Sequence, residues 1–255
     1  MIRRKKRIER GKDFFGIRKK YFESFKFLKS IDNYLAMSFA LFLFLFAFGF
    51  LAFFILPDSI LNYLLEFVSK WIKELLEQTE GKGFFEMWWY IFANNLSIGF
   101  FSAFLGIFLG IPTLFFLFFN GAGIGFVSGI VANEENLISL LTLLPHGVFE
   151  IPAILISFAL GIKLGYSPIL RLIKTYYKNA DDFLIALFFI LLFPLIVIFS
   201  LPLFIIAAVF TMNNFSLRKK FLHDLASSIQ VFFLIVAPLF IIAAIIESAL
   251  IVFWS

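Results

Sequence analysis

The chain has 255 residues, of which 62% are hydrophobic and 15% charged, against roughly 25% charged in an average soluble domain. With a mean hydropathy of +0.97, this excludes a soluble globular domain, a disordered chain and a disulfide scaffold, because a soluble fold of this size could not hide so much apolar surface. What remains is an integral membrane protein, and the absence of cysteine excludes disulfides, thiol nucleophiles, iron–sulfur sites and Cys-ligated zinc.

The net charge of +5 is unevenly placed: 12 of the 22 Lys and Arg residues fall between Arg3 and Lys29, beside only Glu9, Asp13 and Glu23. A basic arm can bind nucleic acid. This one runs straight into an apolar span, so it reads instead as the signal that holds the N-terminus in the cytoplasm and touches anionic lipid. No nucleic-acid partner is expected. The apolar stretch that follows is too long for a cleavable signal peptide. Within the arm (1–33), residues 12–31 interleave aromatics and bases, which predicts an interfacial amphipathic helix.

The first span, Tyr34–Leu56, holds no ionisable residue and is stopped by Pro57, giving a segment 34–57. In the next segment, 58–85, Leu61, Leu64, Leu65, Val68, Trp71, Ile72, Leu75 and Leu76 recur at helical steps opposite Glu66, Lys70, Lys73, Glu74 and Glu77. Asp58 or Ser59 can cap its start. Between Asp58 and Glu86 the net charge is −3, which fits a second interfacial helix on the outer side, lying on the membrane or against a partner.

Residues 86–165 form a polar, Gly-rich module with three predicted spans. Trp88–Gly110 and Thr113–Ala132 are joined by a tight turn at Pro112, and Leu137–Leu164 follows the polar Asn133–Asn136 loop. The last segment, 166–255, holds a basic loop and two further spans, Phe183–Phe210 and Ile229–Trp254. Six spans from a cytoplasmic N-terminus place the loop Thr211–Ser228 outside. Its Arg218, Lys219 and Lys220 conflict with that side, and a re-entrant segment at Pro145-His146-Gly147 would remove the conflict.

Polar residues inside a bilayer are costly, so they mark the informative positions. They are Asn94, Asn95, Asn120, His146 and Glu150, all within the 86–165 module. His146 and Glu150 are four apart and share a helix face. They could satisfy each other beside the helix breakers Pro145 and Gly147, or form a proton or ion site. A metal site lacks ligands, because the other histidine, His223, lies in a loop; no metal and no cofactor are expected. Asn94 and Asn95 sit about 100° apart on a helix, so one can bond a neighbouring helix while the other lines a cavity. Gly106/Gly110 and Gly121/Gly125/Gly129 are spaced by four and form small-residue ridges for close helix packing or homodimerisation. The glycine run at 121–125 has neither the Lys-Ser/Thr signature nor the preceding strand of a phosphate loop. No serine elbow for a hydrolase triad occurs.

In order, Asn94-Asn95, Gly106-x-x-x-Gly110, Asn120-Gly121 with Gly125, and Leu144-Pro145-His146-Gly147-x-x-Glu150-x-Pro152-Ala153 resemble the stage II sporulation protein M family. The similarity covers residues 86–165 closely and the flanking spans loosely, and Pro-His-Gly-x-x-Glu is its most specific element. The resemblance implies a multi-pass membrane protein without catalytic residues. The sporulating members serve as membrane anchors for peptidoglycan hydrolases during engulfment, and relatives occur in organisms that do not sporulate. This sequence carries one span more than the five expected of the sporulation member.

The expectation is therefore an all-α, polytopic bundle of about six spans with two interfacial amphipathic helices, in the cell membrane. It would act as a non-enzymatic scaffold or assembly factor. The bilayer, a second copy of the chain, and a membrane or extracytoplasmic protein are the expected partners. The alternative is a channel or transporter with a polar path through Asn94, Asn120, His146 and Glu150. An intramembrane hydrolase using His146 and Glu150 is the least favoured class.

Overall fold

The computed structural model describes residues 2–134, 144–176 and 204–254, and every element among them is helical. In chain order they are α1 (Ile2–Lys29), α2 (Asp32–Ile55), α3 (Asp58–Thr79), α4 (Phe84–Phe104) with a 3-10 turn at Leu105–Ile107, α5 (Ile111–Glu134) and α6 (Leu144–Tyr176). Then come α7 (Phe204–Asn213), α8 (Phe215–Val231), a π turn at Phe232–Val236 and α9 (Ala237–Trp254). Among the described residues, 5 helices are long and apolar enough to cross a membrane: Asp32–Ile55, Phe84–Ile107, Ile111–Asn133, Gly147–Ser167 and the continuous helix Phe215–Phe253. The predicted span Phe183–Phe210 lies outside the described residues except for its last turns in α7, and the loop before α6 lies outside them as well.

Helix direction follows from the pairs in contact. On α2 and α5, Phe42 and Leu45 meet Gly121, Phe46 meets Gly125, and Phe50 and Phe53 meet Gly129, so the two run parallel. On α4 and α6, Gly99 meets Ser157 and Gly106 meets Gly161, again parallel. Helix α9 is antiparallel to α4, because Phe84 stacks on Phe253 at one end and Phe104 packs on Phe232 at the other. The centre of the bundle is an apolar core to which α6, the π turn and α9 contribute the fully buried Phe158, Phe232 and Phe240.

These directions place α1, the end of α6 and the whole of α8 at one end of the bundle, with α3 at the other. The Thr211–Ser228 stretch is thus at the α1 end, not the opposite one. This removes the charge conflict, since Arg218, Lys219 and Lys220 lie with the N-terminal bases. The last span also starts earlier than its apolar run suggests. Asn214 Oδ1 accepts from the Leu217 amide at 3.2 Å and caps α8, which carries its polar turns straight into the membrane helix. Pro238 cannot donate to the carbonyl one turn back, and the π turn just before it absorbs the missing bond.

Proline and glycine act differently from the breaks expected of them. Pro112 is the second residue of α5 and Pro145 the second of α6, with Gly147 still in the first turn. First-turn amides have no intrahelical acceptor, so proline there starts a helix instead of breaking one. No re-entrant break exists at 145–147: the backbone is helical from Leu144 onwards. The real break precedes Pro112, where Leu109 (φ 60) and Gly110 (φ 75) adopt left-handed conformations and reverse the chain.

Helix α1 also departs from a one-sided amphipathic pattern. Ser24 and Phe27 are buried against the bundle, whereas Phe22 and Phe25 are 70% and 60% exposed, so its apolar residues divide between two sides.

Candidate functional site

The five polar residues singled out by the sequence occupy three helices, and the described ones do not converge on one point. On α4, Asn95 is buried (6% exposed) and Asn94, the residue before it, faces out of the bundle. That split is the 100° step between adjacent helical positions. On α5, the half-buried Asn120 donates its side-chain N–H to the Phe116 carbonyl at 2.8 Å, so its amide closes on its own helix. Glu150 is half-buried near the α3 end of α6. The backbone of His146 is in the first turn of α6, and its side chain lies outside the described residues, as does the His146–Glu150 pairing. Among the described residues no three His, Asp or Glu groups are close enough to hold a metal ion.

The glycine ridges pack within the chain. A Cβ on Gly125 would overlap the Phe46 carbonyl, and those on Gly121 and Gly129 would sit 2.9 Å from Leu45 Cβ and 2.8 Å from Phe53 Cβ. Gly49 on α2 completes this seam against the Ala122 carbonyl. Gly106 and Gly110 meet Gly161, Gly165 and Tyr166 of α6, where Thr113 Oγ1 also donates to the Ser102 carbonyl at 2.6 Å. The faces read as dimerising are therefore occupied by helices of the same chain. Gly123 alone of the run faces open space.

The polar contacts that join distant helices lie elsewhere, at the α1 end. Lys163 of α6 pairs with Asp224 of α8 at 3.8 Å, with side chains 12% and 7% exposed. Its ammonium also sits over the rings of Phe27 (5.3 Å) and Tyr34 (5.6 Å), so one cation links α1, α2, α6 and α8. His223 Nδ1 approaches Asp224 at 3.7 Å. Gln230 of α8 donates to the Lys20 carbonyl at 2.6 Å and to Ser24 Oγ at 3.1 Å, clamping α1 to α8. Higher in the bundle, Ser38 of α2 donates to the Leu155 carbonyl of α6 at 3.1 Å. The sequence carried one signal for this cluster: Lys163 is a lone cation inside an apolar run, which by cost alone demands a partner. A recess of about 110 Å³ beside it, lined by Leu109, Phe204, Ala207 and Phe221, is apolar apart from the buried Thr211 hydroxyl.

At the far end, α3 is covered by none of the other described helices. Ile60, Tyr63, Phe67 and Trp71 form a stripe at three- and four-residue steps, 48%, 70%, 65% and 53% exposed. Only its C-terminal end is fixed, where Tyr90 Oη of α4 donates to Gln78 Oε1 at 2.9 Å. Lys82 then stacks over Tyr90 at 4.2 Å, and Glu86 accepts the Gly83 amide at 3.2 Å.

A family model described as Stage II sporulation protein M matches residues 38–250, from the second turn of α2 to the last turns of α9. The chain belongs to that family. The matched stretch takes in every predicted site residue, both glycine seams and the Lys163–Asp224 pair, and leaves out α1. An uncharacterized protein of Methanocaldococcus jannaschii is 38% identical over 85 residues, which is 32% of this chain and 48% of that protein. The alignment thus spans about half the length of this relative. No solved structure matches.

Proposed function

We propose that the protein is a non-enzymatic membrane scaffold whose outer helix α3 receives a membrane or extracytoplasmic protein. The observation that carries this reading is the uncovered α3. A 22-residue amphipathic helix with a row of exposed aromatics is tethered at both ends by membrane spans and, among the described residues, is packed by no other helix. Exposed apolar stripes of this kind mark interaction surfaces. The interior supports the same reading. Its helices are drawn together on glycine seams, and its asparagines are turned outward, buried singly or bonded within their own helix.

The charge distribution supports an orientation with α1 and α8 in the cytoplasm. The α1 end carries the bases of Arg3–Lys29 and Arg218–Lys220, and the α3 end the acidic stretch Asp58–Glu86.

Exchange of Tyr63, Phe67 and Trp71 for alanine, followed by mild-detergent purification from the native membrane, tests the scaffold. The expected result is loss of the co-purifying protein with the bundle intact. Unchanged recovery would count against α3 as the docking element. Ion flux through liposomes holding the purified chain, abolished by Glu150→Gln, would establish the channel reading in place of the scaffold.

A further inference from the structure

We propose that α1 and the first turns of α8 form one composite surface that docks on an anionic lipid leaflet. This goes beyond the scaffold reading, which concerns the opposite end of the bundle. The two basic segments are remote in sequence: Arg18, Lys19, Lys26 and Lys29 on α1, Arg218, Lys219 and Lys220 on α8. The fold brings them together through Lys163, which touches the Phe27 ring of α1 and the Asp224 carboxylate of α8 at the same time. Lys26 is thereby next to this contact and Lys220 one helical turn from it. Gln230 fixes the second point of attachment, on the Lys20 carbonyl and Ser24 hydroxyl.

Among the described side chains, the acidic groups at this end do not cancel the bases. Glu23 pairs with Lys19 at 3.8 Å, Asp224 is taken by Lys163, and Asp32 accepts the Asn33 amide at the start of α2. Lys26, Lys29, Lys219 and Lys220 remain exposed. The same two helices also expose Phe22, Phe25 and Phe215, 70%, 60% and 71% exposed, with Leu222 at 54%. Cations interleaved with outward aromatic rings suit the headgroup region of an anionic bilayer, where the rings enter the acyl boundary and the cations meet phosphate. A soluble acidic protein would match the charge and leave the rings in water.

The chain has no cysteine, so one label can be placed cleanly. Phe22→Cys, carrying an environment-sensitive fluorophore, is reconstituted as the full chain into vesicles of phosphatidylcholine alone or mixed with phosphatidylglycerol, and salt is titrated. The expected result is blue-shifted emission in the anionic vesicles and a return to the red as salt rises. Arg218→Glu with Lys219→Glu and Lys220→Glu should lower the salt midpoint about twofold or more, although the label is on the other segment. Lys219→Gln with Lys220→Gln, which adds no negative charge, should fall between. Equal, water-like emission in both vesicles would overturn the proposal and leave the surface to an acidic protein. A midpoint unmoved by the α8 substitutions in a protein that still elutes as a folded bundle would overturn its composite nature.

Discussion

Replacing Lys163 by methionine isolates the contact that ties four helices together. The substitution keeps an apolar stem of similar length and deletes the charge. Asp224, 7% exposed in its side chain, is then left as a buried carboxylate without its cation at 3.8 Å. Breaking one half of a buried pair costs about 3–5 kcal/mol. The lost contacts to the Phe27 and Tyr34 rings add about 0.5–2 kcal/mol. His223 Nδ1 stays 3.7 Å from the Asp224 carboxylate, so the low end of about 3 kcal/mol is expected. For a chain of this size, about 2–4 °C of Tm per kcal/mol converts that to a fall of about 6–12 °C. Thermal unfolding of the purified chain in detergent measures it. Lys163→Met combined with Asp224→Leu removes both charges and should regain most of the loss, because an apolar pair of similar volume substitutes well for a buried ion pair. Losses that simply add in the double variant, with a coupling below about 0.5 kcal/mol, would refute the argument.

The glycine seams give a sharper contrast. Gly125→Ala should cost about 1–3 kcal/mol, since its Cβ would enter the Phe46 carbonyl and push α2 from α5. Gly123→Ala, which meets open space, should raise stability slightly through helix propensity. The same thermal measurement separates them. On α4, Asn95→Ala should destabilise by about 1 kcal/mol, because it removes packing at a buried position. The outward Asn94→Leu should be neutral or stabilising by that assay, and a larger loss at Asn94 would mean that its amide is the one bonded across helices.

Much of this architecture is legible in the sequence because the bilayer enforces it. Apolar runs of spanning length, the charge asymmetry and the period of Leu61 to Leu76 each follow from the cost of exposing polar groups to hydrocarbon. Helix α3 starts one residue earlier than a cap at Asp58 would put it: Asp58 is its first residue, and the Ile60 and Leu61 amides bond the Pro57 carbonyl. The tight reversal between α4 and α5 is also present, though left-handed Leu109 and Gly110 make it and Pro112 only starts the next helix. What periodicity could not give was the partner of each face. The Gly121–Gly129 ridge announces close packing, but nothing local says that α2 fills it; Gly49 was the hint. Lys163 and Asp224 meet only in the fold, so their pairing has no spacing to read. The Asn and His-Glu positions drew attention as polar groups in apolar runs, yet burial is decided by helix rotation, which turned Asn94 and Asn95 to opposite environments.

Photo-cross-linking from α3 tests the scaffold most directly. A benzophenone amino acid replaces Phe67, which is 65% exposed at the middle of the uncovered stripe, and is activated in the native membrane. The account predicts a discrete protein adduct that is lost when the same group is placed at Lys73 on the charged face, about 120° round the helix. Adducts to lipid alone from Phe67 would contradict it and reduce α3 to a helix that rests on the membrane.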